Sequence, residues 1–398
     1  MSSDFLLRPG PARRPSAPDS EEVGRGASIR PIDVHRRLPG YAPSPMLETE
    51  ALARRLGLGR VFFKVERSRF GLPSFKLLGA SWAVYRALGS HLGMELEPWK
   101  DVTELAAKLR PALPISLAAA TDGNHGRAVA HMARLLGLGA TIFVPRGTAA
   151  ARISAIRAEG ADCTVVDGDY DAAVARAAAE ADERTLVISD TAWPGYETVP
   201  AWVQEGYATL FDELDAQLAA VGGQPTHVLV PIGVGALGAA CVRHVGEGGH
   251  EQPKVVGVEP LGAACVLASL REGRPVSVPE SDPPPIMVGL NCATPSLTAW
   301  PWLASGIDAM IAIADERAEE GMRLLATLGV ATSETGAAAL GGLLELTSET
   351  ADPSRRDALN LDATAQVAVL VTEGVTDPDA YLRIVGRRPE LVEAGADA

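Results

Sequence analysis

The chain has 398 residues, 47% of them hydrophobic, which is enough for a sizeable core and suggests two domains. A net charge of −14 argues against a nucleic-acid partner, and four cysteines without a CxxC pair (Cys163, Cys241, Cys265, Cys292) argue against a zinc site, so no metal is expected. No apolar run reaches membrane-spanning length and the N-terminus lacks a continuous apolar signal segment, so a cytoplasmic protein without a membrane partner is expected.

Residues 1–26 mix Pro, Arg, Ser and acids and read as a flexible arm. A helix from Glu48 to Leu56 leads into a short strand, Arg60 to Glu66. The stretch Ser74-Phe75-Lys76 then sets one lysine between an aromatic residue and an apolar helix start, because Leu77 to Leu88 carries apolar residues at helical spacing. Burial and the positive helix end both disfavour an ammonium there, so the Lys76 pKa is expected to fall. Such an amine is a good nucleophile toward an aldehyde. A lysine snorkelling on a helix surface accounts for the stretch Ser74 to Ala80 equally well.

From Ala83 to Ile188 strands alternate with helices. The apolar run Ile115 to Ala120 precedes Thr121-Asp122-Gly123-Asn124-His125-Gly126 and a helix from His125 to Leu136. Strands at Ala140 to Val144, Cys163 to Val166 and Thr185 to Ser189 alternate with helices through Ile153 and Ile156 and over Asp171 to Ala181. This reads as a small inserted α/β domain, 83–188, with a parallel sheet and right-handed crossovers. Residues 27–82 and 189–398 would form the large domain. There, one helix from Ala201 to Leu218 precedes the strand Thr226 to Val230, and a glycine turn, Gly233 to Gly238, opens another helix. The strand Val255 to Val258 ends at Glu259, and a Pro-rich loop follows over residues 275–285. Strands at Ala309 to Ile313 and Gln366 to Val371 bracket helices near Asp315 to Leu328 and Gly336 to Leu346. Cys265 and Cys292 flank the Pro-rich loop and could approach each other; the sequence does not show a bridge.

Two segments carry chemistry. Gly233-Val234-Gly235-Ala236 follows an apolar strand and opens a helix, where backbone N–H groups and the helix dipole favour an anion. The same turn reads as GxGxxG with Glu259 ending the next strand, which is the outline of a dinucleotide site. A nicotinamide-dependent oxidoreductase is therefore a rival reading. Asp122-Gly-Asn124-His-Gly126 lies at a strand end and helix start, where exposed N–H groups suit a carboxylate and the Asn amide can donate to a phenolate oxygen. Asp122 there is either an N-cap or a placed base. His125, taken alone, reads as a structural helix-start residue.

Together, Ser74-Phe75-Lys76, Gly123-Asn124-His125-Gly126, Gly233-Val234-Gly235-Ala236 and Ser333-Glu-Thr-Gly336 resemble the fold-type II family of pyridoxal 5′-phosphate enzymes. Thr121-Asp122-Gly-Asn124, Asp190-Thr191-Ala-Trp193-Pro-Gly195-Tyr196-Glu197 and Thr372-Glu373-Gly374-Val-Thr376-Asp377-Pro378 place the resemblance nearest to the diaminopropionate ammonia-lyases, from about residue 40 to 385. The resemblance implies an α/β fold like the tryptophan synthase β chain, with two parallel-sheet domains and the cofactor between them. It also implies a homodimer.

Lys76 would bind the cofactor covalently, Asn124 would contact its 3′-oxygen, and Gly233, Val234, Gly235 and Ala236 would hold its phosphate. Thr372 would face its pyridine nitrogen. Thr121, Asp122, Gly123, His125 and Asp190 would bind the small amino-acid substrate, with Lys76, Asp122 and Asp190 catalytic. The implied reaction is α,β-elimination of D- or L-2,3-diaminopropionate to pyruvate and two ammonia. Lys76 would take the α-proton, and Asp122 or Asp190 would protonate the leaving amine or attract the side-chain ammonium. Asp122 could serve as a second base on the opposite face.

Two features depart from the pattern. Leu77-Leu78 stands where many dehydratases carry an Arg two residues after the lysine, which favours the lyase branch. The phosphate loop continues Leu237-Gly238-Ala239, unlike the usual lyase pattern. A serine or threonine dehydratase of the same fold is the alternative.

Overall fold

A computed structural model describes residues 3–8, 29–247, 252–349 and 351–394. Among the described residues are eleven strands: β1 (Asp4–Leu7), β2 (Met46–Glu48), β3 (Arg60–Val65), β4 (Ser116–Ala120), β5 (Gly139–Val144), β6 (Asp162–Val165), β7 (Thr185–Val187), β8 (His227–Pro231), β9 (Lys254–Pro260), β10 (Ala309–Ile313) and β11 (Gln366–Val371). The chain packs as two compact units.

The first unit holds β1, Pro43–Ser68 and the chain from Leu210 onward. Its seven-stranded sheet has the order β1-β10-β9-β8-β11-β3-β2. The five inner strands are parallel, and β1 and β2 are antiparallel edges. Inner strands such as β8 and β10 are buried along their whole length, as a sheet covered on both faces requires. The helix Glu334–Thr347 packs on β8, β9, β10 and β11 and is buried over nearly all its residues, which explains its Ala-, Gly- and Leu-rich composition.

Strand β1 corrects part of the expected arm. Asp4 to Leu7 pairs in register with Ala312 to Ala309, and Arg271 clamps Asp4 through two hydrogen bonds of 2.6 Å. The edge of β10 would otherwise present unpaired backbone groups. The rest of the expected arm, residues 1–2 and 9–26, lies outside the described residues.

The second unit comprises a segment ending at Ala42 and Arg69–Thr209. Its four-stranded sheet is parallel, ordered β6-β5-β4-β7. The expected domain limits at 83 and 188 differ from this division. The helix Lys76–Leu92 is apolar on every side, with Leu77 through Tyr85 all buried. Such a helix must be enclosed, and it packs against the helices Asn124–Leu136 and Thr198–Gly206. Lys76 thus belongs to this unit and not to the large one.

A second difference concerns the helix expected from Ala201 to Leu218. Two helices occur, Thr198–Gly206 and Ala208–Ala220, with the break at Tyr207.

Candidate active site

In the second unit the expected residues gather at the C-terminal ends of two neighbouring parallel strands, β4 and β7, the ends where α/β sheets bind ligands. Thr121 follows β4, and its Oγ1 accepts the Gly123 N–H at 2.9 Å. Gly123 caps the helix Asn124–Leu136, so Asn124 is its first residue, as the exposed N–H groups of an anion site require. Beyond β7 comes Asp190, 5% exposed. Lys76, the first residue of its helix, reaches across to it: Nζ donates to Asp190 Oδ2 at 2.7 Å.

The electrostatics of this cluster divide its acids. Burial pushes the Asp190 carboxyl up, but the Lys76 ammonium and the hydrogen bond it donates hold it well below the usual carboxylate range. Asp122 has no such partner. It is partly exposed by surface yet closely surrounded by protein, and that burial pushes it up to about 7, with Asp190 adding to the shift and Arg152 and Lys76 opposing it. Burial also lowers the pKa of His125. Its Nε2 donates to the Ile188 carbonyl at 2.8 Å, which leaves Nδ1 as a bare acceptor, buried, unpartnered and 3.8 Å from Asp190. His125 is therefore a neutral wall of the cluster, as its helix-start position suggested.

Sequence reasoning missed three side chains here. The Tyr196 hydroxyl accepts the Ser189 N–H at 3.1 Å and donates to the Val187 carbonyl at 2.6 Å, which pins the backbone just before Asp190. Tyr196 lay inside a quoted motif, but its partners are visible only once β7 is formed. Arg152 donates to the Asp122 carbonyl at 3.4 Å from the neighbouring helix Ala150–Ala158. The third, Tyr207, lies buried beside Lys76.

In the first unit, Gly233–Ala236 and Thr372 sit beyond the C-terminal ends of the adjacent strands β8 and β11. Gly235 has φ +98°, and a Cβ there would fall 2.4 Å from Leu303 Cδ1, so only glycine fits this turn. Ala236 begins the helix Ala236–Glu247. Thr372 is 3% exposed and its Oγ1 has no partner. A buried hydroxyl left unbonded costs free energy unless a ligand completes it. Beside it, Glu373 is held by the Ser333 hydroxyl, which also caps the helix Glu334–Thr347 by accepting the Gly336 N–H. An N–H-lined turn and an orphaned hydroxyl on adjacent strand ends fit a phosphorylated aromatic cofactor.

The dinucleotide reading fails on Glu259. Its carboxylate is fully buried and accepts the N–H groups of Val266 and Leu267 at 2.8 and 2.9 Å, so it caps the helix Cys265–Glu272 and cannot bind a ribose. Nearby, Cys265 and Cys292 are not joined by a disulfide, and neither are Cys163 and Cys241.

Comparison with known proteins agrees with this geometry. The family described as "Pyridoxal-phosphate dependent enzyme" matches residues 37–359. A diaminopropionate ammonia-lyase from Salmonella typhimurium is 37% identical over 369 residues, covering 89% of this chain and 90% of that protein. The crystal structure of the Escherichia coli diaminopropionate ammonia-lyase in complex with D-serine superimposes with a TM-score of 0.85 at 31% identity, covering 96% of this chain and 97% of that one. The same lyase with an aminoacrylate–PLP azomethine reaction intermediate gives 0.84.

Proposed function

Because this chain belongs to the pyridoxal-phosphate dependent enzyme family, with the fold-type II architecture and pyridoxal phosphate as its cofactor, we propose that it eliminates ammonia from D- or L-2,3-diaminopropionate. With one water consumed, the products are pyruvate and two ammonia. The observation that carries this reading is the pair of carboxylates beside Lys76, Asp190 held ionised and Asp122 poised near neutrality.

Lys76, Asn124, the backbone N–H groups of Gly233 to Ala236 and the Thr372 hydroxyl would hold the cofactor. When bound, the cofactor withdraws electrons from the substrate α-carbon and acidifies its C–H bond. A neutral hydroxyl at position 372 does not hold a pyridine ring protonated as a carboxylate does, which suits elimination. The Lys76 amine takes the α-proton of the L-isomer. Asp190, a standing negative charge, attracts the substrate's side-chain ammonium, a group that serine lacks. Asp122 changes protonation near pH 7, so it can protonate the leaving amine or take an α-proton itself, the second role serving the D-isomer. Thr121, Gly123 and His125 frame the substrate carboxylate at the helix start.

The chain's setting completes the proposal. No helix among the described residues is long and apolar enough to cross a membrane. Four cysteines outside any disulfide support a reducing, cytoplasmic compartment. The family likeness supports a homodimer, which sedimentation checks.

The test is to supply L- and D-diaminopropionate and L-serine separately and to assay pyruvate and ammonia. Two ammonia per pyruvate from diaminopropionate supports the reading. Pyruvate from serine alone would make the protein a dehydratase. Borohydride reduction of the holoenzyme should fix the cofactor on Lys76, found by peptide mapping.

A further inference from the structure

Tyr207 is fully buried, and its hydroxyl makes no hydrogen bond of full geometry, while the Lys76 ammonium approaches it as a donor. It lies where the Lys76 ammonium and Asp190 both act on it. Its ring is 4.8 Å from that of Phe75, and Lys76 Nζ stands 5.5 Å from the same Phe75 ring, so the phenol and the amine flank one aromatic side chain. The fold makes room for this ring. A Cβ on Gly79 would fall 2.5 Å from Tyr207 Cε1, and one on Gly206 would fall 2.4 Å from the Leu78 carbonyl oxygen. Two glycines therefore let the helices Lys76–Leu92 and Thr198–Gly206 cross closely, and the chain breaks helix at Tyr207. A phenol buried without a full bond is costly, and a phenylalanine would fill the same space without that cost.

The chemistry of a primary amine supplies a reason. A neutral amine has two N–H donors and one lone pair. Asp190 accepts one N–H at 2.7 Å. A second acceptor leaves the lone pair as the only free direction. We propose that Tyr207 is a positioning residue for Lys76, whose hydroxyl oxygen accepts the second N–H of the amine and so aims the lone pair at the substrate. Burial, with the Asp190 charge, keeps the phenol protonated and neutral, so it serves as an acceptor without becoming a second anion. The inference rests on the reading of Lys76 as the cofactor-bound lysine.

The test is Tyr207→Phe, read in three ways. In the cofactor-free full-length chain, the pH midpoint for acetylation of Lys76 by acetic anhydride, followed by peptide mapping, should fall by about 1. An acceptor stabilises the ammonium, and its loss weakens proton binding about tenfold. In the holoenzyme, kcat on the L-isomer should fall at least about tenfold with KM changed less than about twofold, since the interaction acts on the proton transfer. The thermal midpoint of Y207F should stay within a few degrees of that of the parent, because relief of a buried hydroxyl offsets the loss of its contact with the ammonium. An unchanged acetylation midpoint, even with lowered kcat, overturns the proposal, and so does a clearly lower thermal midpoint. If borohydride places the cofactor on another lysine, the Lys76 reading fails, and that result is independent of the midpoint measured for Y207F.

Discussion

Lys76 Nζ and Asp190 Oδ2 lie 2.7 Å apart, in a position where both side chains are largely withdrawn from water. The contact works against one local expectation. A helix N-terminus and burial both disfavour an ammonium, yet here a carboxylate neutralises it, so the environment of Lys76 favours charge more than its sequence neighbours imply. The same contact keeps Asp190 ionised, while Asp122 changes charge near pH 7. Two carboxylates in one cluster with opposite shifts can take different tasks.

If Asp190 is the constant anion, Asp190→Asn removes the partner of both Lys76 and the substrate ammonium. The ratio of kcat/KM for diaminopropionate over serine should fall by a factor on the order of a hundred, as expected for a desolvated charge-assisted contact. Comparing the two substrates on the purified variant measures it. An unchanged ratio would assign the discrimination elsewhere.

Asp122 makes a prediction in pH. As a base it must be deprotonated, so the rate on the D-isomer should climb as pH passes through about 7. Asp122→Asn should erase that limb and cost at least about a hundredfold on the D-isomer. The L-isomer, if Lys76 is its base, should lose less. Equal losses on both isomers would reject the division of labour.

How much of this was legible in the sequence depends on how local the cause is. β10 and β11 occupy the expected residues, because short apolar runs bounded by turn residues leave little choice. The glycine turn was legible for the same reason, and so were two helix starts to within one residue, Leu77 and His125 being expected where the helices begin at Lys76 and Asn124. The break at Tyr207 was not: Ala201 to Leu218 keeps its helical spacing throughout, and the interruption accompanies a close approach of Gly206 to Leu78, far away in the chain. Lys76 and Asp190 are 114 residues apart, so family resemblance could nominate both, but only folding pairs them. Glu259 at a strand end looks like a ribose ligand until the helix Cys265–Glu272 turns its N–H groups onto it. Asp4 to Leu7 sits among residues of arm-like composition, and its partner strand begins only at Ala309.

Thr372 tests the cofactor cradle. Its hydroxyl is buried and unpartnered without a ligand, so Thr372→Val should leave the cofactor-free protein as stable or slightly more so. Cofactor affinity should drop by about tenfold, the value of one lost hydrogen bond. Thermal melts with and without added pyridoxal phosphate separate the two effects. A destabilised cofactor-free variant would show that the hydroxyl serves the fold instead.

Glu259 links pH to stability. Burial pushes its carboxyl up to about 8 against the two backbone donors that favour its charge. The folded state therefore holds a proton that the unfolded chain releases near the ordinary glutamate pKa. A raised pKa contributes stability that is complete below that ordinary value and is lost as pH rises through about 8. The expected loss between about pH 5 and pH 8 is a few kcal/mol, since every tenfold change in proton affinity is worth about 1.4 kcal/mol. Glu259→Gln cannot ionise. It keeps one acceptor for the helix N–H groups, so it should be less stable than the parent at about pH 5 by about 1 kcal/mol and should lose much less on going to about pH 8. Urea unfolding of both proteins at the two pH values measures the slopes. Parallel slopes would mean that Glu259 is ionised in the folded protein, its charge carried by the N–H groups of Val266 and Leu267.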